Sequence, residues 1–360
     1  MTALSGIRIV DVSGTIATGY CGKLFADYGA HVINLEPEGG FQTRSIAPFL
    51  ADVPPPDNSA LHAYLSTNKE SVVINETTRA GALSSADLVL DDGSDEDLPS
   101  ESSRMSITWY GLEGPFADFE TTDAHIFAMN GMLRGIGKTE GPPYIPPGYQ
   151  AQILAGATAY IGALGHILGR ELGNLEPSHL ETSIFEAMMC FTDVGAVAHY
   201  NTGLELTRLG INRFPPTYPL GIFPCKDGWL GVTVLTPSQW HAFCELLDME
   251  DLAEVPLFQS SVGRLEAIDI IEPRFTEALL DKNAEALFYA GQAARIPLAR
   301  VPTMEELFQV DQFMGRNAFS DATVQGHKLT IPSVPFRLYA TPPHFGGSVE
   351  RLGQSSSHYE

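Results

Sequence analysis

Short runs of apolar, mostly β-branched residues alternate with stretches of helical spacing over the first third of the chain. The run IRIVDVS, residues 7–13, is typical of a buried strand, and TGYCGKLFADYGA, residues 18–30, predicts a helix that ends at Gly29. HVINLEP, residues 31–37, then supplies a second strand. A strand, a helix and a strand within about 30 residues form a βαβ unit, which predicts a parallel sheet with a right-handed crossover.

The strand series continues beyond this unit. ESVVINE, residues 70–76, and ADLVLDD, residues 86–92, predict two further strands, with a short helix over residues 77–85 between them. The first third is therefore Rossmann-like. Residues 91–103, DDGSDEDLPSESS, are acidic and poor in apolar side chains, so they predict a solvated loop. MSITWYG, residues 105–111, resumes the strand pattern.

Two helices follow, and the second has an unusual composition. Residues 122–133 predict a helix capped by one of the threonines before it, with Asp123 in the positive first turn. Residues 148–168, GYQAQILAGATAYIGALGHIL, predict a helix so rich in Ala and Gly that another backbone or a ligand can approach it closely. SHLETSIFEAMMCF, residues 178–191, then predicts a strand and a helix.

The pattern changes near residue 206. Prolines crowd residues 212–221, and residues 221–235 alternate around Lys-Asp-Gly as a hairpin does, before further helical patterns. The predicted fold class is α/β: a large Rossmann-like domain with a parallel sheet, formed by residues 1–205 and 322–360, and a smaller α/β domain. The linker between them would cover residues 206–221 and the small domain residues 222–321.

The chain is long and apolar enough for two cores, with 360 residues of which 44% are hydrophobic. Its formal net charge of −23 repels nucleic acid and anionic lipid, so neither is an expected partner. The first residues do not read as a signal peptide and no apolar run approaches the length of a membrane span, so we expect a cytoplasmic protein. The 4 cysteines lie far apart and indicate no disulfide framework and no metal site.

The first 44 residues carry a family resemblance. LSGIRIVDVSGTIATGYCGKLFADYGAHVINLEPEGGFQTR, residues 4–44, is similar to the N-terminal signature of the family III CoA-transferases, which include the α-methylacyl-CoA racemases. STNKESVVIN, HLETSIFEA, YPLGIFPCKDGWLGV, IPLARVPTMEEL and PSVPFRL resemble later segments of the same family. The resemblance spans nearly the whole chain. It implies a large Rossmann-like domain, a smaller domain and an interlocked dimer of two chains threaded through each other.

The resemblance also implies a chemistry, and this chain departs from it at one position. In that family an Asp carboxylate attacks the acyl-CoA thioester, and the resulting anhydride is reopened by CoA to give an enzyme-bound thioester. Gln152 stands at the position of that Asp, in QILAG ahead of the helix glycines. An amide has no anionic form at neutral pH and its nitrogen lone pair is delocalised, so Gln152 can position or hydrogen-bond but cannot attack.

Three other residues are candidates for catalytic roles. The racemase branch uses a His-Asp pair that aligns here with Thr122 and Asp123, so its imidazole base is absent. His125 lies about one helical turn after Thr122 and could act as a base, or it could be a capping, partly exposed histidine. Glu181 is either a hydrogen-bonded structural carboxylate or a displaced nucleophile.

The resemblance assigns CoA contacts to residues at the ends of strands. Lys69 and Arg104 are nearby cations that could hold phosphates, or they could be solvated surface charges. The family's loop after the fourth strand is replaced here by the acidic segment that starts at Asp91, whose carboxylates oppose a phosphorylated ligand. The full set of cofactor-binding candidates is Thr15, Ile16, Arg44, Lys69, Ile74, Asp91, Asp92 and Arg104.

Three functions are consistent with these residues. The chain could be a CoA-transferase acting on acyl-CoA and a carboxylic acid, with its carboxylate moved or supplied by another chain. It could be an acyl-CoA isomerase or lyase that forms no covalent intermediate, with Gln152 bonded to the thioester oxygen. It could also be a non-catalytic subunit of a heteromer with a paralogous chain. A homodimer or such a heteromer is the expected assembly.

Overall fold

The computed structural model of the protein describes residues 2–95, 97–99, 101–203 and 207–360. The chain forms two compact units, one from residues 1–132, 145–205 and 311–360 and the other from residues 133–144 and 206–310.

A parallel six-stranded sheet organises the first unit. Its strands run in the order β3-β2-β1-β4-β5-β6, and every neighbouring pair is parallel. This is the strand order of a doubly wound Rossmann-type sheet, whose order reverses between β1 and β4. The predicted Rossmann-like parallel sheet is confirmed. The strands are β1 Arg8–Asp11, β2 His31–Glu36, β3 Lys69–Val73, β4 Leu88–Asp91, β5 Ser103–Thr108 and β6 His179–Ser183.

The helices of this unit include the small-residue helix that the sequence predicts. They are α1 Ile16–Asp27, α2 Ala60–Ser66, α3 Glu76–Leu83, α4 Asp123–Met129, α5 Gln150–Glu171, α6 Ile184–Met189 and α7 Asp193–Thr202. A Cβ on Gly156 of α5 would lie 2.5 Å from the carbonyl oxygen of Ala17 in α1, so only glycine permits this close packing. Short 3-10 turns cover Gln42–Ser45, Met132–Gly135, Cys190–Thr192, Pro256–Gln259 and Ser356–His358.

Helix α5 is the one helix among the described residues that is long and apolar enough to cross a membrane. Half of its most apolar window is buried, and it contacts α1, α6, β5 and β6. It is therefore a core helix of the first unit.

The second unit is built on the predicted hairpin. Strands β7 Leu220–Cys225, β8 Gly228–Thr233 and β9 Leu298–Arg300 form an antiparallel sheet in the order β7-β8-β9. The core of the second unit contains the buried side chains of Trp240, Phe243 and Phe275, which lie on its helices. These helices are α8 Pro237–Leu246, α9 Glu250–Ala253, α10 Ser261–Glu266, α11 Ile268–Leu280, α12 Ala284–Ala293 and α13 Met304–Leu307.

The last 50 residues return to the first unit. They contain α14 Asp311–Gly315 and strands β10 Phe319–Val324, β11 His327–Pro332 and β12 Gly347–Val349, in the sheet order β11-β10-β12. The first unit regains the chain at residue 311, whereas the predicted boundary at residue 322 falls inside β10, which pairs with β11 and β12. Residues 133–144 belong to the second unit, where the Arg208 guanidinium donates to the carbonyl of Gly141 (2.8 Å).

Candidate active site

A cavity of about 370 Å³ opens at the carboxyl edge of the parallel sheet, where the strand order reverses. Open α/β sheets bind their ligands in this crevice. The lining comes entirely from the first unit and consists of Gly14, Thr15, Ile16, Gln42, Thr43, Ile46, Asp92, Ile107, Thr108, Trp109, Glu120, Thr121, Tyr149, Gln152 and Ile184.

A larger cavity of about 510 Å³ lies in the second unit, beside β7, β8 and β9. Its lining is mainly apolar, and none of the described residues along it carries an ionisable side chain. The smaller cavity is the better candidate for chemistry because it combines carboxylates, amides and hydroxyls at the switch point of the sheet.

The loop after β1 shapes one wall of this pocket. Asp11 accepts hydrogen bonds from the backbone N–H groups of Ser13 (3.2 Å) and Gly14 (3.0 Å), and burial raises the pKa of its carboxyl. Gly14 has φ +59°, and a Cβ there would overlap the ring of Phe41. Thr15 Oγ1 then accepts from the Thr18 N–H (3.1 Å) as the N-cap of α1, so this helix begins at the pocket.

Gln152 sits at the head of α5 and is fixed there by Asp123. Its Nε2 donates to Asp123 Oδ2 at 2.7 Å, and both side chains are more than nine-tenths buried. Asp123 Oδ1 accepts from the backbone N–H groups of Ala151 (2.9 Å) and Gln152 (3.2 Å), so this carboxylate also caps α5. One amide N–H of Gln152 is therefore committed to a charged partner, and the rest of the amide remains for a ligand.

Two other candidates for catalytic roles lie away from the pocket lining. His125 is exposed, and its Nδ1 is 3.2 Å from Thr122 Oγ1, as the alternative of a capping histidine predicts. Glu181 Oε1 accepts from the backbone N–H of Leu112, in keeping with a structural carboxylate. Their catalytic roles remain predictions.

Of the predicted cofactor-binding residues, Thr15, Ile16 and Asp92 line the pocket. Arg44 does not: its buried guanidinium bonds Glu36 with Nε and Nη2 (both 2.6 Å) and Asp57 with Nη1 (2.6 Å). Ile74 follows β3 and packs against the core of the sheet. Contacts of Arg44 and Ile74 with CoA remain predictions.

Lys69 is not a solvated surface charge, and that alternative is wrong. It is 4% exposed, and its Nζ donates to the carbonyl of Gly19 at 2.8 Å. Burial lowers the pKa of this ammonium group to about 8. Lys69 thus lies within the first unit and outside the pocket lining.

Cations pair with part of the acidic segment after β4. Arg104 holds Asp91 with two hydrogen bonds of 2.7 and 2.9 Å, so it is not a solvated surface charge either. Arg79 reaches Asp95 at 2.9 Å. The negative field that the sequence predicts at this edge is therefore reduced, and Asp92 is the residue of this segment that lines the pocket.

Sequence reasoning missed most of the pocket wall. Gln42 and Thr43 come from a 3-10 turn after β2, while Trp109, Glu120 and Thr121 follow β5. A usable signal was present, because residues directly after parallel strands gather at one edge of the sheet. The packing of the 3-10 turn against that edge had no such signal.

His62 makes the pocket wall sensitive to acid. Its Nδ1 is 2.9 Å from Oγ1 of the pocket residue Thr43, and burial, assisted by the charge of Arg44, lowers its pKa to about 3. Below the usual histidine pKa of about 6.5, His62 binds a proton in the unfolded chain but not in the folded chain. The free energy of unfolding therefore decreases as the pH is lowered. Between pH 7 and pH 5 the free energy of unfolding should fall by about 2 kcal/mol more in the native protein than in His62→Gln. Urea unfolding at both pH values measures this difference, and equal losses would contradict it.

Comparisons with known proteins agree with this geometry. The profile of CoA-transferase family III matches residues 4–91 and 104–355. The chain belongs to CoA-transferase family III. A succinate–glutarate CoA-transferase of Agrobacterium fabrum is 25% identical over 375 residues, which cover 98% of this chain and 93% of that protein.

One further relative has a similar sequence, and one solved structure has a similar fold. A probable CoA-transferase of Mycobacterium tuberculosis is 29% identical over 342 residues, which are 86% of this chain but only 41% of that longer protein. A crystal structure of a CAIB/BAIF family protein from Brucella suis superposes with a TM-score of 0.87 at 21% identity, covering 99% of this chain and 98% of that one. The last similarity concerns the fold alone.

Proposed function

We propose that this family III protein binds acyl-CoA at the switch-point pocket and takes part in the cytoplasm in CoA transfer between carboxylic acids. The observation that carries the proposal is the position of Gln152, which heads the small-residue helix and lines the pocket at the carboxyl edge of the sheet. The acyl thioester would lie in the pocket against this amide.

Gln152 acts by hydrogen bonding. Asp123 holds one of its amide N–H groups, and this fixes the plane of the amide. The second N–H is then free to donate to the carbonyl oxygen of a thioester, where negative charge develops during acyl transfer. A neutral amide cannot form the acyl anhydride, so a covalent step needs a carboxylate from another residue.

Two carboxylates line the pocket and can meet that need. Asp92 is partly engaged, because its Oδ1 accepts from the N–H (3.1 Å) and the Oγ (2.6 Å) of Ser94. Glu120 is exposed and makes no hydrogen bond or ion pair with the described residues. Glu120 is therefore the first residue at which an adduct is expected.

Calorimetry of the purified chain with CoA and with acetyl-CoA tests the binding. Heat with both ligands is the expected result, and no heat with either would remove every acyl-CoA function for the isolated chain. Mass spectrometry after hydroxylamine trapping with acetyl-CoA then locates any activated carboxylate. An adduct on Glu120 or Asp92 supports transfer by this chain alone, and Gln152→Asp should add a third site of modification.

The second candidate is a non-catalytic subunit of a heteromeric transferase, and Gln152 is the observation that favours it. This function predicts acyl-CoA binding without any adduct on the isolated chain. Activity would then appear only with a paralogous chain that has an Asp at the equivalent position.

The outer face of α5 supports an assembly of two chains, as the interlocked dimer of the family requires. Ile161, Leu168 and Leu172 are 71, 57 and 67% exposed and lie on one side of this helix and its end. Such a stripe of large apolar side chains is typical of an interface.

Ile161→Glu should therefore weaken the dimer and shift the mass toward that of a monomer at low protein concentration, because it places a charge within the buried apolar interface. Light scattering after size-exclusion chromatography measures the mass. Val262→Glu, at a 51% exposed residue of the second unit, is the control that should leave the mass unchanged. A dimer that survives Ile161→Glu would exclude this face.

A further inference from the structure

The charges that line the pocket all have the same sign. Asp92 and Glu120 are its carboxylates, and no Lys, Arg or His among the described residues lines it. The remaining polar groups are hydroxyls and amides, such as those of Thr121 and Gln152.

The neighbouring cations are committed to other carboxylates. Arg44 is buried against Glu36 and Asp57, and Arg104 holds Asp91 through two hydrogen bonds. Neither side chain lines the pocket. An acyl group that carried a second carboxylate into the pocket, besides the one that reacts, would therefore meet like charges without a compensating cation.

We propose that this site selects acyl groups that lack a second carboxylate, a class represented by butyryl-CoA as opposed to succinyl-CoA. The inference rests on the proposed function and names the substrate class of the same pocket. Apolar side chains of Ile16, Ile107, Trp109 and Ile184 supply contacts for a short hydrocarbon chain. Electrostatic repulsion from Asp92 and Glu120 supplies the discrimination against a dicarboxylic acyl group.

The test compares the dissociation constants of butyryl-CoA and succinyl-CoA for the purified chain by calorimetry. The two ligands share the CoA moiety, so their ratio isolates the distal end of the acyl group. Butyryl-CoA should bind about tenfold more tightly, because a like-charge contact at about 4 Å opposes binding even at a solvent-exposed carboxylate such as Glu120. The ratio should fall as salt is raised, since salt screens the repulsion.

Variants locate the source of the discrimination. Glu120→Gln and Asp92→Asn should each reduce the ratio at least about threefold by tightening succinyl-CoA binding. Glu113→Gln, at an exposed carboxylate after β5 that does not line the pocket, is the matched control and should leave the ratio unchanged. Equal or tighter binding of succinyl-CoA, or a ratio that neither pocket variant alters, would overturn the inference while the proposed function stands. Failure of CoA and both acyl-CoA ligands to bind would overturn the proposed function and this inference together.

Discussion

Replacement of Arg44 by methionine is expected to lower the free energy of unfolding by about 3–5 kcal/mol. The side chains of Arg44 and Glu36 are 1 and 0% exposed, and they share two hydrogen bonds of 2.6 Å. Removal of the guanidinium would leave the Glu36 carboxylate buried without its cation. Burial alone would raise the pKa of Glu36, but the hydrogen bonds and charge of Arg44 outweigh burial and hold it below its usual range.

The pH dependence of this variant follows from the same pair. In the native protein the lowered pKa of Glu36 contributes stability that is present above the unfolded carboxyl pKa of about 4.3 and is lost as pH falls through the folded pKa. Arg44→Met should remove that contribution. The stability difference between the native protein and the variant should therefore be largest near neutral pH and shrink in acid.

Urea unfolding of three variants separates the lost cation from a general packing defect. Glu36→Gln combined with Arg44→Met should recover part of the loss, because the amide leaves no unpaired charge and can keep the Phe41 N–H (3.0 Å) as a donor. Lys328→Met breaks an ion pair of the same unit whose partners are 76 and 50% exposed, and it should cost less than about 1 kcal/mol. Similar losses in Arg44→Met and Lys328→Met would contradict the assignment.

The parallel sheet could be predicted because its first strands are short, rich in apolar residues and separated by helical spacing. Strands β1, β2 and β4 are almost wholly buried, which leaves little room for polar residues, whereas β6 (HLETS) is largely polar and only partly buried. The hairpin of β7 and β8 could also be predicted, because its turn residues are typical of a hairpin. The hairpin of β10 and β11 was not predicted although only Gln325 and Gly326 separate its strands, and the pairing of β10 with β12 depends on a segment later in the chain.

Long-range hydrogen bonds explain why the structure of the C-terminal segment differs from what its composition suggests. Residues 353–360, GQSSSHYE, have the polar composition of a terminus that frays, yet Ser356 Oγ accepts from the Val73 N–H (2.9 Å), and just before this segment Glu350 accepts from the Ser71 N–H (2.8 Å). This tail covers the edge strand β3, whose backbone groups would otherwise lack partners. The sequence alone indicates that a segment is polar, but not which strand edge supplies its hydrogen-bond partners.

The same limit applies to the candidate site. The family resemblance implied that Gln152 stands at the position of the family's Asp, and in the structure Gln152 lines the pocket. The hydrogen bond between Gln152 and Asp123 joins residues 29 positions apart. Asp91 and Arg104 lie on the neighbouring strands β4 and β5. Charged residues looked like phosphate contacts in the sequence because their partners could not be seen there.

The bond between Gln152 and Asp123 predicts a large effect of Gln152→Glu, a substitution that keeps the size of the side chain. It places a carboxylate oxygen where Nε2 now lies, 2.7 Å from Asp123 Oδ2, and removes the donor. Two carboxylates at this distance cannot both be ionised in a buried site, so the pair must keep one proton. At pH 7, protonation of a carboxyl whose usual pKa is about 4.3 costs at most about 4 kcal/mol, which bounds the expected loss of stability.

The retained proton determines how the stability of Gln152→Glu changes with pH. Because the folded pair holds its proton to a higher pH than the unfolded chain does, Gln152→Glu should be nearly as stable as the native protein below about pH 4. Its deficit should then grow by about 1.4 kcal/mol for each pH unit above the unfolded pKa until the pair ionises. Unfolding curves from pH 4 to pH 8 measure this slope, and a deficit independent of pH would show that the two side chains do not share a proton.

A double-mutant cycle with Asp123→Asn completes the test. In the double variant the amide and the carboxylate exchange places, so Oδ1 at position 123 can still accept from the N–H groups that begin α5 while Nδ2 donates to the new carboxylate. The double variant should be at least about 2 kcal/mol more stable than the two single losses predict by addition. A buried carboxylate at position 152 thus becomes ionised at neutral pH only when position 123 is neutral. For the same reason, Gln152→Asp/Asp123→Asn should form an acyl adduct at lower pH than Gln152→Asp, and trapping from pH 6 to pH 9 would reveal the difference.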